Sequence, residues 1–132
     1  MKKKLLSLLV LSSLFASSAL ANTVITGFTS GGPSGQLRVF GSITATNGNH
    51  YDTASASTGN QYYQYAYHEV TLRIYYNQPG GTSGYVDAYN SDSNNTYVTA
   101  SAPHANATYA TGSHYISSPD YGSWSGTTNV NY

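Results

Sequence analysis

From Leu37 to Ala45 the chain alternates. Leu37, Val39, Gly41, Ile43 and Ala45 share one parity; Arg38, Phe40, Ser42 and Thr44 share the other. A repeat of two marks a strand with one buried face. The same repeat returns along the chain in short runs. Val24 to Phe28 forms a first strand. Tyr51 to Thr58 alternates Ala with Ser and Thr. Gln61 to Tyr76 is the most strand-like stretch, with Tyr63, Tyr65 and Tyr67 on one parity and Val70, Leu72, Ile74 and Tyr76 on the other. A bulge near His68-Glu69 would bring both sets to one face. Tyr85 to Asn90 and Tyr97 to Ala102 flank an Asp/Asn/Ser loop as a hairpin, and Pro103 is expected to break its second strand. Ala105 to Ile116 alternates again, residues 117–126 read as a Ser/Gly/Pro loop around Trp124, and Thr128, Val130 and Tyr132 make a last strand.

Between these runs lie Gly31-Gly32-Pro33-Ser34-Gly35, Asn47-Gly48-Asn49, Gly59-Asn60 and Gln78-Pro79-Gly80-Gly81. Such clusters of Gly, Asn and Pro are turns. About eight short strands at this spacing predict an all-β domain, a small antiparallel β-sandwich or a flattened barrel. No repeat of fixed period appears, which argues against a solenoid.

Residues 1–21 do not belong to that pattern. Met1-Lys2-Lys3-Lys4 precedes an apolar run from Leu5 to Leu14, and Ala19-Leu20-Ala21 offers a small-x-small cleavage site. This reads as a bacterial export signal cut after Ala21, leaving a single secreted or periplasmic domain over 22–132. The apolar run is too short to span a bilayer, and no second long run follows, so no transmembrane helix is expected.

Composition narrows the partners. Beyond the signal, Arg38 and Arg73 stand against Asp52, Glu69, Asp87, Asp92 and Asp120, and no lysine remains. Nucleic-acid binding needs clustered cations, so that class is disfavoured. There is no cysteine, which removes disulfides, thiolate metal sites, cysteine nucleophiles and a lipoprotein anchor. Large aliphatic side chains are scarce, whereas Tyr occurs 14 times, always beyond residue 21. Tyrosine rings must therefore supply part of the core.

Motifs for catalysis are weak. His68-Glu69 begins a zinc-protease pattern, but Leu72 stands where its second His belongs. Gly122-Ser123-Trp124-Ser125-Gly126 has Trp where a nucleophile elbow needs Ser. No two of the acids can be paired from sequence, although Asp87 and Asp92 flank a hairpin loop. The chain is read as non-enzymatic. His50, His68, His104 and His114 lack ligand spacing, and no cofactor is expected. Asn90, Asp92 and Asn94 have the i, i+2, i+4 spacing of a calcium loop. Their single charge and the missing Gly and Glu favour instead a hairpin loop bonded to its own backbone.

The aromatics carry the leading functional reading. Tyr62, Tyr85, Tyr89 and Trp124 are the expected exposed contacts, the Trp because its loop is flanked by Gly and Ser. On a β scaffold such rings suit a glycan or a cell-surface protein. Two alternatives stand beside this binding module. One is a bacteriocin-like or membrane-active toxin, with the Ser/Thr-rich segment 41–60 as its inserting hairpin. The other is a surface-structural or matrix subunit that self-associates through an open edge strand.

Overall fold

The computed structural model describes residues 20–63 and 65–132. Eight strands follow in order: β1 (Leu20–Phe28), β2 (Arg38–Thr46), β3 (Asp52–Asn60), β4 (Tyr67–Asn77), β5 (Ser83–Asp92), β6 (Tyr97–His104), β7 (Ala107–Ser118) and β8 (Gly122–Asn131). They form two antiparallel sheets of four strands. Sheet I runs β1-β2-β3-β6 and sheet II runs β5-β4-β7-β8. The sheets pack face to face and do not close into a barrel, so of the two expected architectures the sandwich is the one formed. The expected leader falls on residues outside those described, except that Leu20 and Ala21 open β1 opposite Thr46 and Ala45.

Alternation decides what lies between the sheets. From sheet I come Ile43, Ala45, Ala54, Ala56, Val98 and Ala100; from sheet II come Val70, Leu72, Ile74, Ala110 and Val130. A second cluster, Leu37, Val39, Ala66 and Ile116, closes one end under Tyr63, Tyr121 and Trp124. Sheet I contributes many alanines and sheet II most of the bulk, so the layers fit by alternating small against large. The Ser/Thr-rich segment 41–60 forms most of β2 and β3, and its Ile43, Ala45, Ala54 and Ala56 lie in this core.

Three boundaries differ from the sequence expectation. Gln61 to Tyr63 and Tyr65 to Ala66 are not in a strand, and β4 begins only at Tyr67. The Asn60 side chain causes this. Its Oδ1 accepts the N–H groups of Tyr62 and Tyr63, and its Nδ2 donates to the Tyr63 carbonyl and to His68 Nε2 at 2.9 and 2.7 Å. With Tyr63 and Tyr65 off the strand, no bulge is needed at His68-Glu69. The register shift lies instead between Tyr75 and Tyr76, opposite Thr108. Removing the amide leaves buried groups without partners. Asn60→Ala is expected to destabilise the domain by about 2 kcal/mol. Urea unfolding checks this, and a midpoint within error of the parent would remove Asn60 as the organiser of the turn.

Pro103 does not end its strand. β6 continues to His104, with Pro103 opposite Thr53. A proline is tolerated there because β6 is an edge strand whose outer side has no N–H to supply. Finally, the segment read as a loop over 117–126 is the end of β7, a tight turn and the start of β8. Trp124 therefore sits on a strand. Trp124, Gly126, Thr128 and Val130 share the inward parity, and the Ser, Thr and Asn between them face out.

Where the edges of β1 and β8 meet, the backbone partly stitches the sheets together. Ser30 N–H donates to the Ser123 carbonyl at 2.8 Å and Gly31 N–H to the Tyr121 carbonyl at 3.1 Å. Thr23 Oγ1 donates to the Asn129 carbonyl at 2.8 Å. On the opposite side Asn90 Nδ2 donates to the Thr99 carbonyl at 2.8 Å, tying the β5 edge to β6. Such side-chain ties occupy edge groups that would otherwise offer themselves to a neighbouring strand.

Candidate functional site

The outer face of sheet II brings the exposed Tyr85, Tyr89, Tyr109 and Tyr115 together with Glu69, Arg73 and Asp87. On β4 the outward parity is Tyr67, Glu69, Thr71, Arg73 and Tyr75, because Val70, Leu72 and Ile74 take the core. The β4–β5 register then sets Tyr75 beside Tyr85, Arg73 beside Asp87 and Thr71 beside Tyr89. The β4–β7 register sets Tyr75 beside Tyr109 and Glu69 beside Tyr115. Two tyrosine groups result, one toward each end of β4.

The first group is centred on Tyr75. Its ring stacks on Tyr109 with centroids 4.2 Å apart and planes 12° apart, and it leans on Tyr85 at 6.2 Å. The Arg73 guanidinium lies 3.9 Å from the centre of the Tyr85 ring. Arg73 also forks onto Asp87, with Nε to Oδ1 at 2.7 Å and Nη2 to Oδ2 at 2.8 Å. This bidentate bond holds the Asp87 carboxyl below the usual carboxylate range and raises the already high guanidinium pKa. Rings stacked between neighbouring strands stand on edge from the sheet. They fix one another, and they present ring edges and phenol oxygens outward.

The second group shares a carboxylate. Tyr67 Oη donates to Glu69 Oε2 at 2.7 Å and Tyr89 Oη to the same oxygen at 3.2 Å. The two phenol oxygens are 3.1 Å apart, and the Tyr67 ring meets Tyr115 edge to face at 6.4 Å. The hydrogen bonds with Tyr89 and then Glu69 push the Tyr67 phenol up to about 12. It stays neutral across the physiological range and so remains a donor. Between the groups lie Thr71, Thr111 and Ser113, which are short hydroxyl side chains.

Two of the four residues expected to make contact stand on this face. Tyr85 and Tyr89 are 56% and 58% exposed. Tyr62 is more exposed still, at 85%, but it projects from the turn that Asn60 organises and touches neither group. Trp124 corrects the expectation of an exposed loop aromatic. It is half-buried on the inward side of β8 and packs against the cluster of Leu37, Val39, Ala66 and Ile116. Two glycines make room for the indole. A Cβ on Gly27 would lie 2.6 Å from its Nε1, and one on Gly126 2.9 Å from its Cζ2. Tyr67, Tyr75, Tyr109, Tyr115 and the Arg73–Asp87 pair were missed, because their grouping depends on register.

Comparison with family models, with curated proteins and with solved structures finds no match to this chain.

The remaining chemistry is dispersed. No three His, Asp or Glu side chains among the described residues gather as a metal site. His50 is exposed on its turn, whereas His104 stacks on Tyr76 with centroids 3.6 Å apart. His68 and His114 are buried. Asn60 Nδ2 carries only hydrogens, so His68 Nε2 accepts and the ring proton sits on Nδ1. His114 bonds the Thr58 hydroxyl through Nδ1 at 2.7 Å and the Thr128 hydroxyl through Nε2 at 2.8 Å. Burial lowers the pKa of both rings, that of His114 to about 4. Asp92 takes the Asn94 N–H on Oδ1 at 2.7 Å and the Asn95 amide on Oδ2, which is the backbone-bonded hairpin loop and holds its carboxyl low. Asp87 is tied to Arg73, away from Asp92. No helix among the described residues is long and apolar enough to cross a membrane.

Proposed function

We propose that this is a non-enzymatic binding protein, exported from the cytoplasm, that contacts a glycan or a cell-surface partner through the outer face of sheet II. The observation that carries the reading is the pair of tyrosine groups held on one face by the β4–β5 and β4–β7 registers. Folding a chain so that many rings leave the core, in a domain short of large aliphatics, sacrifices burial that the core would use. Held tyrosines, moreover, offer large contact area at small entropic cost. The charges of this face compensate one another in Arg73–Asp87, and Glu69 is capped by two phenols. A surface with so little free charge suits neutral partners, such as sugar rings and their hydroxyls, better than polyanions.

The test replaces Tyr85 and Tyr89 together by Ser in protein spanning residues 22–132. Binding to whole cells and to a glycan array is expected to weaken by about thirtyfold, the equivalent of about 2 kcal/mol for an interface hot spot. Ser42→Ala with Ser55→Ala, on the outer face of sheet I, is the control and should change nothing. Equal binding by the tyrosine variant and the parent would refute the reading.

A further inference from the structure

At the β5–β6 turn, off the tyrosine face, a hollow of about 290 Å³ is lined by Asn90, Asp92, Asn95, Tyr97, Val98 and Thr99. Asn90 Nδ2 is engaged by the Thr99 carbonyl, and Asn95 Nδ2 by Asp92. Both amide oxygens are left to accept. Each Asp92 oxygen has taken one hydrogen bond, from Asn94 N–H or from Asn95, and has a further lone pair. Each amide also keeps one N–H, so Asp92 offers acceptors and the two Asn side chains offer both kinds of group, and the complement is a ligand with several hydroxyls.

The other wall is aromatic. Tyr97 is 59% exposed and lies at the start of β6, opposite Gly59. It is also buttressed. A Cβ on Gly59 would come within 2.6 Å of Phe40 Cζ and 2.7 Å of the Tyr97 Cβ. The Phe40 ring therefore reaches across the glycine to the base of Tyr97. An exposed ring beside the Asp92 carboxylate and the two Asn amides fits a molecule with hydroxyls on one edge and C–H groups on a face. The size is at the small end for ligand cavities.

We infer that this hollow is a binding site for a single neutral pyranose, its hydroxyls donating to Asp92, Asn90 Oδ1 and Asn95 Oδ1 and its C–H face resting on Tyr97. This goes beyond the tyrosine face and does not require that face to bind a glycan. A hydrated cation is the competing occupant of an oxygen-rich hollow. Only one charged ligand is present here, and a cation would leave the Tyr97 ring unused except through its π face.

The experiment is an amide NMR titration of residues 22–132 with glucose, galactose, mannose and N-acetylglucosamine, each with and without EDTA. At least one sugar is expected to shift amides within residues 90–99, unaffected by EDTA. Tyr97→Ala and Asp92→Asn should each weaken that binding by about tenfold, the equivalent of one charge-assisted hydrogen bond or ring contact. Asn at position 92 still accepts the Asn94 N–H, so the turn survives, and urea midpoints confirm that both variants fold. Silence with all four sugars overturns the site, as does binding that needs calcium or persists in Tyr97→Ala. Whole-cell binding lost in the Tyr85/Tyr89 variant while all sugars are silent would sink the hollow alone. Sugar shifts without any cell binding would sink the tyrosine face alone.

Discussion

Acidification from pH 6.5 to pH 4 is expected to destabilise the domain by about 3 kcal/mol through His114 alone. The ring sits between the sheets, 2% exposed, with a threonine hydroxyl at each nitrogen. Those hydroxyls come from β3 and β8, so the neutral imidazole links sheet I to sheet II. A neutral ring has one donor and one acceptor, and the two hydroxyls supply the complement. Burial is the cause of the lowered pKa, and Thr58, Thr128, Gly41 and Gly112 against the ring carry no charge. Protonation therefore places an uncompensated charge in the core.

The sign follows from linkage. The unfolded chain binds this proton near pH 6.5 and the folded one only near pH 4. Well above pH 6.5 neither state is protonated and the site contributes no pH dependence. As the pH falls below 6.5 the unfolded state gains protons that the folded state refuses, and stability drops until about pH 4. His68, buried and also lowered, adds in the same direction. Asp87 and Asp92 are held below their ordinary 3.8, so their stabilisation is lost at lower pH still, in a separate window. Thermal melts across this range should show the midpoint falling by about 10 °C or more. His114→Gln, which stays neutral, should flatten most of the slope. A parent protein equally stable at neutral pH and at pH 4.5 would exclude a neutral, desolvated His114.

Legibility in the sequence tracked how local the cause was. The alternation in β2 and the aliphatic half of β4 were readable because each strand buries one face completely. The turn after Asn60 was not, because a side-chain amide makes it, and the tyrosines that follow continue the strand's composition. The first half of β8 reads as a loop from its Ser and Gly content, although Thr128, Val130 and Tyr132 read as a strand. Its parity nevertheless carried the answer: Trp124, Gly126, Thr128 and Val130 on one side, Ser123, Ser125, Thr127 and Asn129 on the other.

The same distinction holds for the surface. Tyr75–Tyr85, Arg73–Asp87 and Thr71–Tyr89 all follow from one hairpin register around Gln78–Thr82, so that much was within reach of the turn signal. Tyr109 and Tyr115 join only because β7 returns beside β4 after β6 has crossed to the other sheet. No local pattern encodes that return. Gly27 and Gly41, which accept Trp124 and His114 from the facing sheet, likewise matter only through contacts across the sandwich.

Gly41 is the position where that dependence is sharpest. Gly41→Ala is expected to cost about 3–5 kcal/mol, a large share of the stability of a small domain. Glycine in a strand usually weakens it, and Ala at a compatible site stabilises by about 0.4–1 kcal/mol. Here the added methyl would lie 2.6 Å from His114 Cδ2 and Cγ. The ring has nowhere to go. Its nitrogens are fixed by Thr58 and Thr128, and a Cβ on Gly112 would lie 2.9 Å from its Nε2, so that side is tight as well. Overpacking therefore moves the imidazole and breaks one or both of its hydrogen bonds, leaving buried polar groups unpaired. A double-mutant cycle with His114→Ala separates this from any backbone effect. In that background the ring is gone and Gly41→Ala should be neutral or slightly stabilising in urea unfolding. The same penalty with and without His114 would place the cost in the β2 backbone and disprove the steric account.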